Sequence, residues 1–185
     1  VIYGAGGHGR AVAEAAGLAG WSVLGFLDDD GRAARGDGAP GLPLLRHDDP
    51  RLADAVVHVG IGDNLARRTV AHRLRLDRQS FATVVHPAAS VAPSAVVGRG
   101  SFIGPAAVVH TAARVGRGSI VNSAAVVEHD CTVGVFAHVA PGAVLGGAAA
   151  AGSGALIGLG ARVLPGVRVG LRSVVGAGAV VTRRV

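Results

Sequence analysis

Residues 115–145 read VGRGSIVNSAAVVEHDCTVGVFAHVAPGAVL, and an aliphatic side chain returns in them at every sixth place: Val115, Val121, Val127, Val133, Val139 and Leu145. The same step runs back through Val109, Ile103 and Val97 to Val91, and forward through Ala151, Ile157, Val163, Val169 and Val175 to Val181. Only Ala151 is undersized. Four residues after most of these positions stands a small side chain, as at Ala113, Ser119, Ala125, Cys131 and Ala137, and Gly often follows the aliphatic directly, as at Gly98, Gly116 and Gly134. An amphipathic helix recurs near 3.6 residues and collagen places Gly at every third, so neither accounts for a period of six. A triangular coil does. The aliphatic fills each flat side, the small residue fits where the chain bends inside a narrow prism, and Gly is expected to relieve the corner. Three hexads close one coil, so residues 91–181 supply about five stacked coils of a parallel β-helix. Hexad spacing alone leaves the handedness open.

The first half of the chain has another vocabulary, with apolar runs, helix-forming segments and most of the acidic residues. The reading therefore divides the chain into an α/β domain at 1–86 and the β-helix at 87–185. In the front part, VIYGAGGHGRAVAEAA starts as a short strand, turns through Gly4, Gly6, Gly7 and Gly9, and continues as a helix. Such glycines let backbone approach a phosphate or sugar, and the helix N-terminus supplies free N–H groups. A second strand, SVLGFLDDD, ends in Asp28, Asp29 and Asp30, near the place where a Rossmann unit carries its ribose-binding acid. AVVHVGIGD is a third strand ending in Gly60 and Gly62. A helix is expected from Asn64 to about Arg78, with Leu65, Val70, Leu74 and Leu76 on its apolar side. Trp21 and Phe26 read as packing residues. The front segment has room for about half of a doubly wound fold, which weakens a nicotinamide-dependent reading.

The formal charge is +6, from 18 basic and 12 acidic residues, and every basic residue is Arg. These arginines are scattered, and four Phe, one Tyr and one Trp leave few stacking platforms, so nucleic acid is not the expected partner. Anionic small molecules suit this charge equally well. Apolar stretches are interrupted by Gly, Pro, Arg or Asp, which argues against membrane insertion. The single Cys131 fits a reducing compartment, and cytoplasm is the expected setting. The chain begins at Val1 inside a strand, so an initiator segment is expected to be missing.

Against a background of Ala, Ser, Arg, Thr and Pro, the outward positions of residues 122–138 concentrate Asn122, Glu128, His129, Asp130 and His138. Imidazole titrates near neutrality and can take a proton from an attacking amine or hydroxyl. Either Asp130 or Glu128 is placed to hold the ring. Asn122 and His138 are nearly one coil apart, which puts them close on adjacent rungs, with His129 about one triangular side away from each. Three prisms packed side by side would create clefts between such faces, and this favours a trimer with shared sites. No metal site is expected, since His129 and His138 lack a local third ligand and Cys131 points inward as a small filler. His110 lacks an acidic neighbour, whereas His8 lies in the glycine turn and is a candidate for contacting a sugar or phosphate.

The ordered set YGAGGHGR, FLDD, VGIGDN, NSAAVVEHDC and HVAPGA resembles the sugar O-acyltransferase family of sialic acid biosynthesis and its relatives, the bacterial N-acetyltransferases of nucleotide-linked 4-amino sugars. The resemblance covers both parts of the chain. It implies a small Rossmann-like α/β domain followed by a left-handed parallel β-helix of hexapeptide repeats, a homotrimer, and acetyl-CoA bound between adjacent β-helices. It implies His129 as general base, Asp130 as the acid that raises its basicity, and Asn122 near the acceptor. Acetyl-CoA contacts fall on His138, Gly147, Leu159 and Ala177, although relatives often carry Gly at the last of these. Nucleotide-sugar contacts fall on Gly7, His8, Gly9, Asp28, Asp29 and Gly62. Relatives usually continue past the last coil with a short segment that helps enclose the coenzyme; with VVTRRV as the last residues, the resemblance implies either such a segment beyond Val185 or an altered part of the acyl-donor site. The implied reaction is direct transfer to an amine without an acyl-enzyme. A hydroxyl acceptor, or a non-catalytic nucleotide-sugar-binding β-helical protein, remains an alternative on the residues alone.

Overall fold

In each hexad the inward aliphatic and the residue before it make a two-residue strand, and the following four residues turn to the next face. The computed structural model describes residues 1–29, 41–75 and 81–185. It carries this unit from β4 (Val84–Val85) to β20 (Val180–Val181), in three parallel sheets of six, six and five strands. The solenoid is of the left-handed type, with about five turns. Strands pair with the equivalent strand of the next coil: Ile120 of β10 (Ile120–Val121) lies opposite Phe102 of β7 (Phe102–Ile103) and His138 of β13 (His138–Val139). The inward column is closed to solvent, with Ile103, Val109, Val121, Val127, Val139, Leu145 and Ile157 all at 0% exposure. Each such side chain contributes roughly 1.5–3 kcal/mol by leaving water. Cys131 sits in the small column, fully buried, its thiol directed at the carbonyl of Gly146.

The corner chemistry differs from the expectation. From Val97 to Val175, left-handed φ falls on the third residue after each inward aliphatic, and it is accepted there by Ala124 (53°), Asp130 (60°), Phe136 (54°) and Ala148 (58°) as well as by Gly. Glycine directly after the aliphatic answers a different constraint. At one corner it occupies that place in successive coils, at Gly98, Gly116, Gly134, Gly152 and Gly170. A Cβ on Gly134 would lie 2.3 Å from the amide nitrogen of Ser153, and one on Gly116 2.7 Å from that of Val135. The glycines there relieve contact between coils, not torsion at the bend.

In the front domain, β1 (Ile2–Tyr3), β2 (Phe26–Leu27) and β3 (His58–Val59) form a parallel sheet in the order β2-β1-β3. Helix α1 (Gly7–Leu18) buries Val12, Ala13, Ala15 and Ala16. These join Phe102 and Ile120, which point outward from the prism, in a shared core, so α1 covers the first coils. Gly9 permits the approach of helix to sheet, since a Cβ there would lie 1.9 Å from the Gly4 carbonyl oxygen. Helix α2 (Asn64–Arg73) is N-capped by the Asp63 carboxylate and ends earlier than expected, at Leu74, before the left-handed Arg75. Its buried face is Arg67 and Ala71, whereas Leu65 is 69% exposed; Leu76 lies outside the described residues. Trp21, expected in the core, is 44% exposed, while Phe26 is buried. Among the described residues no helix is long and apolar enough to cross a membrane.

The two kinds of corner predict substitutions of opposite sign. Gly134→Ala should cost about 1–3 kcal/mol through overpacking against the next coil. Ala112→Gly, at φ 57°, should be neutral or stabilising by up to about 1 kcal/mol, as the left-handed penalty is offset by unfolded-chain entropy. Chemical denaturation of the two variants measures both.

Candidate active site

Asp130 follows His129 in the corner position where the backbone turns left-handed, a conformation that Asp tolerates better than most residues. There its Oδ2 lies 2.8 Å from His129 Nδ1, so Asp130, not Glu128, holds the ring. Both side chains are more than half exposed. The other ring nitrogen faces the next coil, where a Cβ on Gly147 would stand 2.5 Å from Nε2. Gly147 thus makes space for the imidazole. An Nδ1–H donated to the carboxylate leaves Nε2 with a free lone pair, the arrangement a general base requires.

A second pair joins Asn122, just after β10, to His138 within β13 of the next coil. Asn122 Oδ1 accepts from the Ser123 amide at 2.8 Å, which fixes the amide and points Nδ2 at His138 Nε2, 3.1 Å away. With Nε2 accepting from the amide, His138 carries its proton on Nδ1. Burial, then the Arg67 charge, then His8 push the His138 pKa down to about 4. Leu159 and Ala177 lie on the ladder of the corner after Asn122, in which backbone hydrogen bonds link Ser123 to Gly142, Pro141 to Gly160 and Leu159 to Gly178. Both are exposed.

The front domain supplies a third group. Gly7, His8 and Gly9 form the first turn of α1 rather than a loop before it. Gly7 is exposed, but Gly9 is buried against the sheet, so its role is packing. His8 turns inward, with its edge against Phe102 at 5.4 Å between centroids and His138 at 6.4 Å. Its Nε2 is buried without a partner, and burial followed by the Arg67 charge lowers its pKa to about 4. Asp28 accepts from the Ala5 amide at 2.9 Å. Asp29 is engaged by Tyr3 and by Arg73, the latter at 2.7 Å, which holds its carboxyl below the ordinary range. Asp30 lies outside the described residues.

One chain therefore brings His129, Asp130 and Gly147 together, and separately Asn122, His138, His8 and Gly62, but it does not join the two sets. Beside His138, a cleft of about 550 Å³ opens between α2 and the prism. Phe136, Leu156 and Val174 give it an apolar floor, and Arg68, Arg117 and Arg172 a basic rim. The sequence reading missed this cleft and also Arg67, whose signal is its spacing of four from Ala71 on one helical face. Among the described residues no His, Cys, Asp or Glu cluster could hold a metal ion.

An α/β domain that turns a glycine-rich helix start toward a β-solenoid with an exposed imidazole–carboxylate pair defines a hexapeptide-repeat acetyltransferase. Comparison with known proteins agrees. Residues 1–74 match the family described as the PglD N-terminal domain. The chain is similar over its whole length to perosamine N-acetyltransferase from Caulobacter crescentus, determined with CoA and GDP-perosamine as a mutant with Asn in place of a His. Identity is 33%, the TM-score is 0.91, and 88% of that chain is covered. It is likewise similar to the acetyltransferase domain of PglB from Neisseria gonorrhoeae, at 34% identity and TM-score 0.89 over 100% of this chain and 91% of that one. UDP-N-acetylbacillosamine N-acetyltransferase of Bacillus subtilis is 36% identical over 106 residues, 55% of this chain and about half (49%) of the length of that relative. The chain belongs to the family of acetyltransferases of nucleotide-linked amino sugars.

His8, His58 and His138 are buried with pKa values pushed to about 4, in each case chiefly by burial. Unfolded chains take up these protons near pH 6.5, so their neutral burial is fully tolerated above that pH and opposes folding increasingly as pH falls toward 4. The melting temperature should accordingly drop between pH 6.5 and 4, and His58→Gln, away from the cleft, should flatten that slope in a thermal circular-dichroism series.

Proposed function

We propose that this protein transfers the acetyl group of acetyl-CoA to the 4-amino group of a nucleotide-linked sugar. The observation that carries the reading is the His129–Asp130 pair, with Nδ1 tied to a carboxylate at 2.8 Å and Nε2 exposed over Gly147. The acceptor amine attacks the thioester carbonyl while His129 Nε2 takes its proton, and Asp130 favours the imidazolium that forms. Collapse of the tetrahedral species breaks the C–S bond, and the proton on His129 passes to the departing thiolate. Asn122 or a backbone N–H meets the developing oxyanion. Among the described residues no Ser or Cys nucleophile accompanies the base, and Cys131 is sealed in the core, so transfer is direct, without an acyl-enzyme.

The donor is bound along His138, Leu159 and Ala177, with Gly147 contributed from the base's corner. The apolar floor and arginine rim of the neighbouring cleft suit a pantetheine arm and its phosphates. The nucleotide sugar is held by the front domain, at Gly7 and His8, beside Asp28 and Asp29, and at Gly62. Gly9, Asp28 and Asp29 serve this site by shaping backbone, since their contacts are already made within the domain. A homotrimer in the cytoplasm completes the reading. Because His129 and His138 stand on different sides of a rigid prism, a second copy is needed to present one side against the other.

A thiol-release assay with acetyl-CoA against UDP-, dTDP- and GDP-linked 4-amino sugars, with sialic acid and serine alongside, tests the acceptor. Turnover on an amino sugar is expected, and turnover on hydroxyl acceptors alone would overturn the amine assignment. His129→Ala should lower kcat by roughly 10²–10⁴-fold with the oligomer intact. Shared sites are tested by mixing and reassembling His129→Ala and Asn122→Ala protomers. Recovery of activity above either parent is expected, and none would follow if each site lay within one chain.

A further inference from the structure

Arg67 has no place in the reaction as described, yet it is the largest fully buried side chain of the described residues, at 1% exposure. Its five N–H groups are all spent on oxygen. Nε donates to the Gly118 carbonyl at 2.7 Å, Nη1 to those of Ile61 and Gly62 at 2.9 Å each, and Nη2 to Asn64 Oδ1 at 2.8 Å and the Phe136 carbonyl at 3.0 Å. None of the ion pairs among the described residues includes it. Asp63, which favours its charge, spends its carboxylate on the cap of α2. Burial lowers the guanidinium pKa to about 10, so it is still a cation at neutral pH. A buried cation without a carboxylate is expensive, and an apolar side chain of similar size would close the same space more cheaply. The charge and the fork therefore call for a reason beyond packing.

The partners supply one. Ile61 and Gly62 end the loop after β3 on the acceptor side, whereas Gly118 and Phe136 are equivalent corners of successive coils, the second lying two residues before His138. The Gly62 carbonyl that accepts from Arg67 is also the backbone group that favours a proton on His138. We propose that Arg67 is a positioning residue: its guanidinium clamps the acceptor loop to the coil that carries His138, so that amine and thioester meet in one fixed geometry. This rests on the acetyl-transfer reading above. The charge has a second effect. His138 is faced by Asn122 from its own prism, by His8 from α1 and by Arg67 from α2, with Asp63 beside the fork and His58 behind His8. The Arg67 cation disfavours protonation of both His8 and His138.

The test compares Arg67→Lys, which keeps the charge and loses the fork, and Arg67→Met, which loses both, with Ala71→Gly. The last variant destabilises the same buried face of α2 without touching the clamp. Saturating kinetics should show kcat in Arg67→Lys about tenfold or more below that of Ala71→Gly, with each KM changed by less than about threefold, since misplacement by about 1 Å costs up to 10²-fold. In Arg67→Met the acid limb of kcat/KM should move to higher pH. Nitrogen-15 NMR of the His8 and His138 rings should show both titrating at higher pH in Arg67→Met, a readout that needs no turnover. If neither Arg67 variant folds, Asn64→Ala, which removes one acceptor from the fork and leaves the charge, is read by the same kcat comparison. A kcat no lower than that of the control would overturn the clamp, and ring titrations that do not move would overturn the effect of the Arg67 charge on His8 and His138. Wild-type protein that acetylates no acceptor would instead overturn the transfer reading, while the ring titrations would still measure the effect of the Arg67 charge.

Discussion

Everything outside the prism depends on the stacking of its inside. Each coil must lay an aliphatic on the aliphatic of the coil below and a small residue on a small one, and this holds equivalent residues in vertical register: Ile120 on Phe102, His138 on Ile120. Once that register is set by burial, outward positions have no freedom to drift. Asn122 reaches His138, and His129 lies over Gly147, because hexads three apart are bound to stack. The chemistry inherits its geometry from a core that touches none of it.

The same constraint explains why the base and its carboxylate use a corner. On the flat sides a side chain is flanked above and below by neighbours one strand spacing away. At a corner the backbone reverses its torsion, and the side chains there diverge. Asp130 occupies such a position at φ 60°, where a β-branched residue would be strongly strained, and the turn it makes brings its carboxylate onto the ring just before it. A pair adjacent in sequence would lie on opposite faces of an extended strand. The left-handed corner is what makes His129 and Asp130 partners.

The repeat, its coil count and the stacking of Asn122 on His138 were legible from residue spacing, since period and burial are properties of side chains. What was not legible rests on backbone. Spacing shows that Gly relieves the corner but not how, since it does not reveal the amide of the next coil, 2.3 Å from where a Cβ would be at Gly134. Helix α2 packs Val70 and Leu74 as its spacing indicates, but toward the prism it meets a row of carbonyls, which Arg67 answers and Leu65 does not. Carbonyl oxygens have no letter in a sequence, so an arginine that binds four of them at close range looks like any surface cation. For Gly9, Asp28 and Asp29 the structure likewise adds partners that spacing does not reveal, in Gly4, Ala5, Tyr3 and Arg73.

A solenoid this regular is stiff, because every coil is bonded to the next along three sheets. Stiffness keeps His129 over Gly147, and it also forbids the hinge motions by which other enzymes gather residues from distant surfaces. If the site is shared as proposed, two routes are left for completing it. One is to add a domain, as α1 does by burying Phe102 and Ile120 beneath it and setting His8 beside His138. The other is to add a copy, which lays one prism's side along another's. Both demand a docking geometry held to better than an ångström without any moving part. A buried cation tied to carbonyls on both sides of the seam meets that demand, since a guanidinium fork binds only where all its acceptors are already in place.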